Sequence, residues 1–372
     1  MISVFQPKIS FLNIFTVLKY LLKNDISGTS SVVKEFENNF SKKFNTKYAI
    51  AVSNGSVALD LALNLLNLTE EDEVILPAFT IISPLSAVVR SGAKPVFCDV
   101  DKNTWNMTLE NIKKKTTKKT KAIVLIHTYG LPAEATLIAK FCKDNKIKII
   151  EDAAESHGQK ENGKLCGTFG DISTFSFYAN KHITTGEGGM ILTNNKTYYE
   201  NAMKMRNLDF PIMDTGRNRF NHDKFYWNYR MSGMQAALGI SQINSLEKTI
   251  NLKIRQGEIY QKLFNPYLDK IQLPKREVRG SKNHYWVFGI VIKEPNKRDD
   301  LMKYLQTKNI QTRAFFWPLH KQNALSSSKQ NTPLPVSENL GSNGLYIPIG
   351  KHIKKRTQIK IVNEIINYLN QI

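Results

Sequence analysis

The sequence predicts an α/β fold: a mostly parallel sheet with helices on both faces, followed by a smaller α/β unit. Three observations predict it. Short apolar runs of strand length alternate with helical stretches between Tyr48 and Asp152, a βαβα rhythm that requires parallel pairing. The runs are apolar throughout, as in strands covered on both faces. The chain of 372 residues also exceeds what one small core needs, so two units are expected.

Taken in order, Phe11–Leu22 reads as an amphipathic helix, because Asn13 and Lys19 interrupt its apolar run. It is neither a signal peptide nor a membrane span. Val32–Phe44 is a second amphipathic helix with Phe36, Phe40 and Phe44 on one face. The strand Tyr48–Ser53 leads through Asn54-Gly55-Ser56 into a helix from Val57 to Leu66. The first N–H groups of that helix lack intrahelical partners, so Gly55 and Ser56 can hold an anion; plain N-capping by a serine is the competing reading. Strands at Val74–Pro77, Pro95–Val100, Ala122–Tyr129 and Lys148–Glu151 then alternate with helices around Ser83–Ser91, Leu109–Lys115 and Ala133–Asn145. Ligands of such sheets gather at the carboxyl ends of the strands. Asp152, directly after its strand, is placed there either to hold a ring nitrogen protonated or to cap loop backbone.

Two further strands, Ile172–Tyr178 and Met190–Thr193, flank a polar turn that carries Lys181. Gly186, Gly188 and Gly189 supply the backbone freedom that holds it. A lysine between buried strands can be desolvated into a nucleophilic amine. Beyond it, Gly233–Phe264 reads as one long helix bridging the units, which divide as 1–249 and 250–372. The second unit contains strand-like Tyr285–Ile292, a helix at Arg298–Lys308, Thr312–Trp317 and a last helix at Arg356–Asn370. Ser326–Pro335 is a surface loop.

The formal charge of +20 invites a nucleic-acid reading. Its lysines are spread along the chain, however, with a single dense run at Lys113–Lys121, and no zinc spacing or RNA-binding aromatic signature accompanies them. Nucleic acid is therefore not expected as a partner, whereas an anionic nucleotide substrate suits the charge. Cys98, Cys142 and Cys166 are odd in number and far apart, which excludes a disulfide framework or metal knuckle and fits a reducing cytoplasm.

Several separated motifs then occur in order: VSNGSVAL (Val52–Leu59), PAFT (Pro77–Thr80), GAKPVFCDVD (Gly92–Asp101), IEDAAESHG (Ile150–Gly158), GTFGDISTFSFYANKHITTGEGGMILTN (Gly167–Asn194) and NYRMSGMQAALG (Asn228–Gly239). In these the chain resembles the DegT/DnrJ/EryC1/StrS family of nucleotide-sugar aminotransferases, over nearly its whole length. The resemblance implies the fold-type-I scaffold and pyridoxal 5'-phosphate as cofactor. It implies that Lys181 carries the cofactor through its amine and moves the proton in catalysis, that Asp152 pairs with the pyridine nitrogen, and that Gly55, Ser56 and Ser176 cradle the phosphate. Glu155 lies near the ring hydroxyl, and Asn228 falls in a loop that reaches the neighbouring subunit's site, so a homodimer with shared active sites is expected. Arg230, Arg313 and His320 are candidate substrate contacts, His320 being equally a structural loop histidine. No metal site and no membrane attachment are implied.

One position departs from the family pattern: Ile81 stands where an aromatic commonly stacks on the cofactor, leaving Phe79 or an aliphatic face for that task. A related branch dehydrates its sugar using histidine in place of the lysine. Aligning SFY with SFY puts Lys181 at the deciding position and His182 next to it, which favours transamination. The FSFYANKHITTGEGGM segment is similar to the perosamine-forming branch. The expected reaction is transfer from L-glutamate to a nucleotide-linked 4-keto-6-deoxyhexose, GDP-4-keto-6-deoxymannose giving GDP-perosamine. Action at C4 or C3 of a dTDP- or UDP-4-keto-6-deoxyglucose, or a non-catalytic cofactor-binding regulator, are the alternatives.

Overall fold

The structure is a computed structural model that describes residues 1–210, 216, 220–325 and 332–371. Its central sheet has seven strands in the order Tyr48–Val52, Gly189–Thr193, Ile172–Ser176, Lys148–Asp152, Thr120–Ile126, Glu73–Pro77 and Lys94–Cys98. All run parallel except Gly189–Thr193, which pairs antiparallel with both neighbours. The sequence rhythm stops predicting direction there because the connection from Ser176 to Gly189 is a bare turn. A parallel return needs a crossover, usually a helix.

Side chains of the sheet are buried on both faces, and helices cover each. On one side Phe36, Phe40 and Phe44 of the helix Ser31–Phe44 pack against Phe175 and Phe177, with ring centroids 4.8–5.4 Å apart. Edge-on aromatic pairs of this kind add to simple area burial.

The expected helix Gly233–Phe264 is instead two helices, Gly233–Ile243 and Leu246–Phe264. The break falls at Asn244–Ser245, not at either glycine. It redirects the chain, since Ile243, Leu246 and Ile250 belong to the core around the first helices while Tyr260 and Phe264 enter the core of the second sheet. That second sheet is antiparallel, with strands Ile271–Gln272, Phe288–Ile292, Gly344–Ile347 and Arg313–Ala314 in that order. The proposed division at 249/250 lies within the helix Leu246–Phe264. The expected strands Tyr285–Ile292 and Thr312–Trp317 are trimmed to those two short segments. The strand expected over Ala122–Tyr129 ends at Ile126, because Tyr129 takes a left-handed φ of 56° in a tight turn. Of the loop expected at Ser326–Pro335, residues 326–331 lie outside the described residues, and Pro335 opens a helix, Pro335–Asn343.

No helix among the described residues is long and apolar enough to cross a membrane. The lysine-rich run is partly neutralised: Lys119 Nζ lies 2.7 Å from Glu71 and Lys114 Nζ 2.5 Å from Glu110.

Candidate active site

The carboxyl ends of the central strands open into a cleft of about 600 Å³ lined by Gly55, Ser56, Asp152, Glu155, Ser176 and Lys181, with Arg313 at its edge. One wall is the start of the helix Gly55–Asn64. Asn54 caps that helix by accepting from the Val57 N–H, so the first N–H groups face the cleft without intrahelical partners. Glycine is required at this turn by close approach. A Cβ on Gly55 would lie 2.7 Å from the Cβ of Ser176, and one on Gly189 would collide with the Asn54 carbonyl. The Ser56 hydroxyl lies 2.8 Å from that of Ser83.

Asp152 ends its strand buried, with Oδ1 accepting from the Ala154 N–H at 3.0 Å. Glu155 is also buried, and its Oε2 accepts from the Tyr129 N–H at 2.8 Å. Burial pushes both carboxyls up, Glu155 to about 7, while the Lys181 amine pulls the other way. The same burial pushes the Lys181 amine below the usual lysine range, against the pull of Glu155 and Asp152. An amine and two carboxyls are thus each displaced toward their neutral forms, the condition for moving protons near neutral pH.

Lys181 sits on a feature that the sequence reading did not identify. Its Nζ lies 3.6 Å from the centroid of the Trp286 ring, and the Trp286 indole N–H donates to the Asn180 carbonyl at 3.2 Å. Trp286 and Tyr346 come from the second unit and line the cleft. The strand Phe288–Ile292 begins two residues after Trp286, which made the tryptophan look like one more core residue.

The other expected residues divide. Arg313 reaches the cleft edge, its guanidinium 4.9 Å from the Phe5 ring. Asn228 is exposed and does not line this chain's cleft. The Arg230 guanidinium turns away and donates to Asn207 Oδ1. His320 is a correction: it is buried with Nε2 3.0 Å from Glu338 Oε1, outside the cleft, while its neighbour Leu319 hydrogen-bonds the Ala78 carbonyl. Phe79 is fully buried among Tyr129, Phe315 and Phe316 and is not available to stack, whereas Ile81 is 43% exposed on the cleft wall. His182 is buried and does not line this cleft.

A buried His127–Glu151–Cys166 cluster underlies the sheet ends. His127 Nδ1 accepts from the Ala133 N–H, so its Nε2 donates to Glu151. Glu151 also accepts from Gly167, Phe169, Gly170 and the Ser173 hydroxyl. These lone pairs are committed to folding the 166–173 loop, and a metal would have to break that network.

Pyridoxal phosphate fits the cleft residues. Lys181 offers an amine, Asp152 keeps a carboxylate oxygen for a ring nitrogen, and the Gly55–Ser56 helix start suits a phosphate. The DegT/DnrJ/EryC1/StrS aminotransferase family matches residues 13–366. The chain is 38% identical to a GDP-perosamine synthase of Escherichia coli O157:H7 over 347 residues, 93% of each protein. It is 33% identical to a GDP-perosamine synthase of Vibrio cholerae over 378 residues, spanning 100% of both. Among solved structures, an aminotransferase from Psychrobacter cryohalolentis superposes with a TM-score of 0.91 at 27% identity, covering 100% of both chains. The chain therefore belongs to the DegT/DnrJ/EryC1/StrS aminotransferase family and is a pyridoxal-phosphate-dependent aminotransferase.

Proposed function

We propose that the enzyme transfers the amino group of L-glutamate to a nucleotide-linked 4-keto-6-deoxyhexose, with GDP-4-keto-6-deoxymannose as substrate and GDP-perosamine as product. The observation that carries the reading is Lys181 itself. A buried amine, lowered by that burial, shares the cleft with two buried carboxyls, and the neighbouring His182 does not line it. That arrangement supports transamination over dehydration, and the full-length likeness to two GDP-perosamine synthases supports the sugar.

When bound, pyridoxal phosphate supplies the electron sink for deprotonation at the carbon bearing nitrogen. The chain supplies the rest. Lys181 Nζ accepts and returns the proton, and Asp152 holds the ring nitrogen. Gly55 and Ser56 anchor the phosphate through backbone N–H groups. Glu155, fixed by the Tyr129 N–H, would lie near the ring hydroxyl of the bound cofactor. Arg313, exposed at the rim, is suited to the substrate diphosphate.

A homodimer is part of this reading. Phe11, Phe15 and Leu22 of the first helix and Phe225 and Trp227 are each more than half exposed, and Asn228 directly follows Trp227. A second copy would cover these side chains and receive Asn228 at its site; light scattering checks the mass. A cytoplasmic setting fits the three unpaired cysteines.

The deciding experiment incubates GDP-, UDP- and dTDP-4-keto-6-deoxy sugars with enzyme, cofactor and L-glutamate, followed by mass spectrometry and NMR. Amination at C4 of the GDP sugar is expected, with no product from Lys181→Ala. Preferential amination of a UDP or dTDP sugar would overturn the nucleotide assignment, and a deoxygenated product would overturn the reaction.

A further inference from the structure

A second and smaller cavity of about 60 Å³ also has Lys181 in its wall, without the residues of the helix start. Lys181, Asn180, Trp286 and Tyr346 line both spaces, so the small cavity adjoins the cleft at the reactive amine. Its charged lining is of one sign. Lys8, Lys181, Lys253 and Lys351 border it together with His182, and no carboxylate does among the described residues.

Lys253 is the inner wall. It is 7% exposed, and its ammonium donates to the Trp286 carbonyl at 2.8 Å. An ammonium has three N–H donors, and a carbonyl satisfies one. The charges facing Lys253 are those of Lys181 and Lys351, both of its own sign. His182, 3% exposed, has no hydrogen-bond partner at Nδ1 or Nε2 among the described residues. Buried cations without a counter-ion are unfavourable, and an anion relieves both the desolvation and the mutual repulsion.

We propose that this basic cavity is the subsite for the distal carboxylate of a dicarboxylic amino donor, held by Lys253 with Lys351 and Lys8 at the outer rim. The proposal rests on the aminotransfer reading above. A donor whose amino group reaches the place of the Lys181 amine projects a side-chain carboxylate past Trp286 into a space built of cations. A donor with an apolar or cationic side chain finds no partner there. Lys253 and Trp286 thus act as a pair, the carbonyl of one fixing the ammonium of the other.

The test uses the full-length protein without cofactor, titrated calorimetrically in chloride-free buffer with glutarate, which has both carboxylates of glutamate and no amine. Butyrate and sulfate are run beside it. Glutarate is expected to bind at least about tenfold more tightly than butyrate or sulfate, and Lys253→Met to weaken it by about tenfold or more. In the loaded enzyme the same variant raises the KM for L-glutamate by a similar factor, with the effect falling on the donor and not on the sugar nucleotide. Equal glutarate affinity in wild type and variant overturns the proposal. So does sulfate binding as tightly as glutarate, which would mean a site for any small anion. Should Lys253→Met fail to fold, Lys351→Met at the rim carries the same comparison, with an expected loss of about threefold; no loss there overturns it. Failure of the wild type to take up pyridoxal phosphate would instead remove the aminotransfer reading, and is seen separately by absorbance.

Discussion

The Lys181 ammonium lies 3.6 Å from the centre of the Trp286 ring, and the same indole donates its N–H to the carbonyl of Asn180, the residue before the lysine. One side chain of the second unit therefore holds both the head and the backbone of the reactive lysine. Losing this support frees both the side chain and the turn, so Trp286→Leu is expected to weaken cofactor retention about tenfold, and Trp286→Phe, which keeps a ring, by less. Absorbance titration with pyridoxal phosphate measures both. Equal retention in all three proteins would assign Trp286 to packing alone.

The turn at Gly55 is expected to tolerate no side chain. A Cβ there meets the Ser176 Cβ at 2.7 Å, and neither backbone can yield without moving the helix start or the strand. Gly55→Ala should cost about 1–3 kcal/mol of stability and shift the first helical N–H groups away from the phosphate. A loss of cofactor affinity larger than the loss of stability, read by titration and by urea unfolding, distinguishes the anion role from simple crowding.

Glu155 makes stability depend on acidity in a defined window. Burial raises its folded-state pKa from 4.5 to about 7. Below about pH 4.5 the carboxyl is protonated in both states and its stabilising effect is fully present. As pH rises towards about 7 the unfolded chain ionises first, and that stability is lost. Glu155→Gln is expected to flatten the stability profile between pH 4.5 and 7 while keeping an acceptor for the Tyr129 N–H. Urea midpoints at several pH values check it, and an unchanged slope would show that the carboxyl is not held neutral.

Much of this was legible in the sequence, for identifiable reasons. Alternating apolar runs and helices encode a parallel sheet, and strand-end placement brings Gly55, Asp152 and Lys181 together, as the cleft shows. The direction of Gly189–Thr193 was not legible, since apolar content is the same either way and only the missing crossover decides it. For Phe79 and His320 two readings stayed open, because the packing that decides between them, against Phe315 and Glu338 in the third dimension, leaves no periodic trace. Trp286 resembles core in any pattern analysis. Lys253 did leave a trace: Ile250, Gly257, Tyr260 and Phe264 mark the buried stripe of its helix, and residue 253 falls on that stripe. A lysine there is buried by geometry.

That buried lysine has a thermodynamic signature independent of any ligand. Burial, with the nearby charges of Lys181 and Lys351, lowers the Lys253 amine from 10.5 to about 7. Below about pH 7 it is protonated in both states, and the folded protein bears the full cost of an enclosed ammonium. Between about 7 and 10.5 the unfolded chain keeps the proton and the folded chain does not, so stability climbs with pH. Lys253→Met removes the charge at similar volume. It is expected to stabilise the protein below pH 7 by about 2 kcal/mol or more and to flatten the climb above it. Lys181, depressed in the same direction, contributes a limb of the same sign, so the comparison is between wild type and the single variant. Urea unfolding from pH 6 to 10 reads the effect. A variant less stable than wild type at pH 6 would show that an internal partner compensates the ammonium, and with it would go the argument that the cavity awaits an anion.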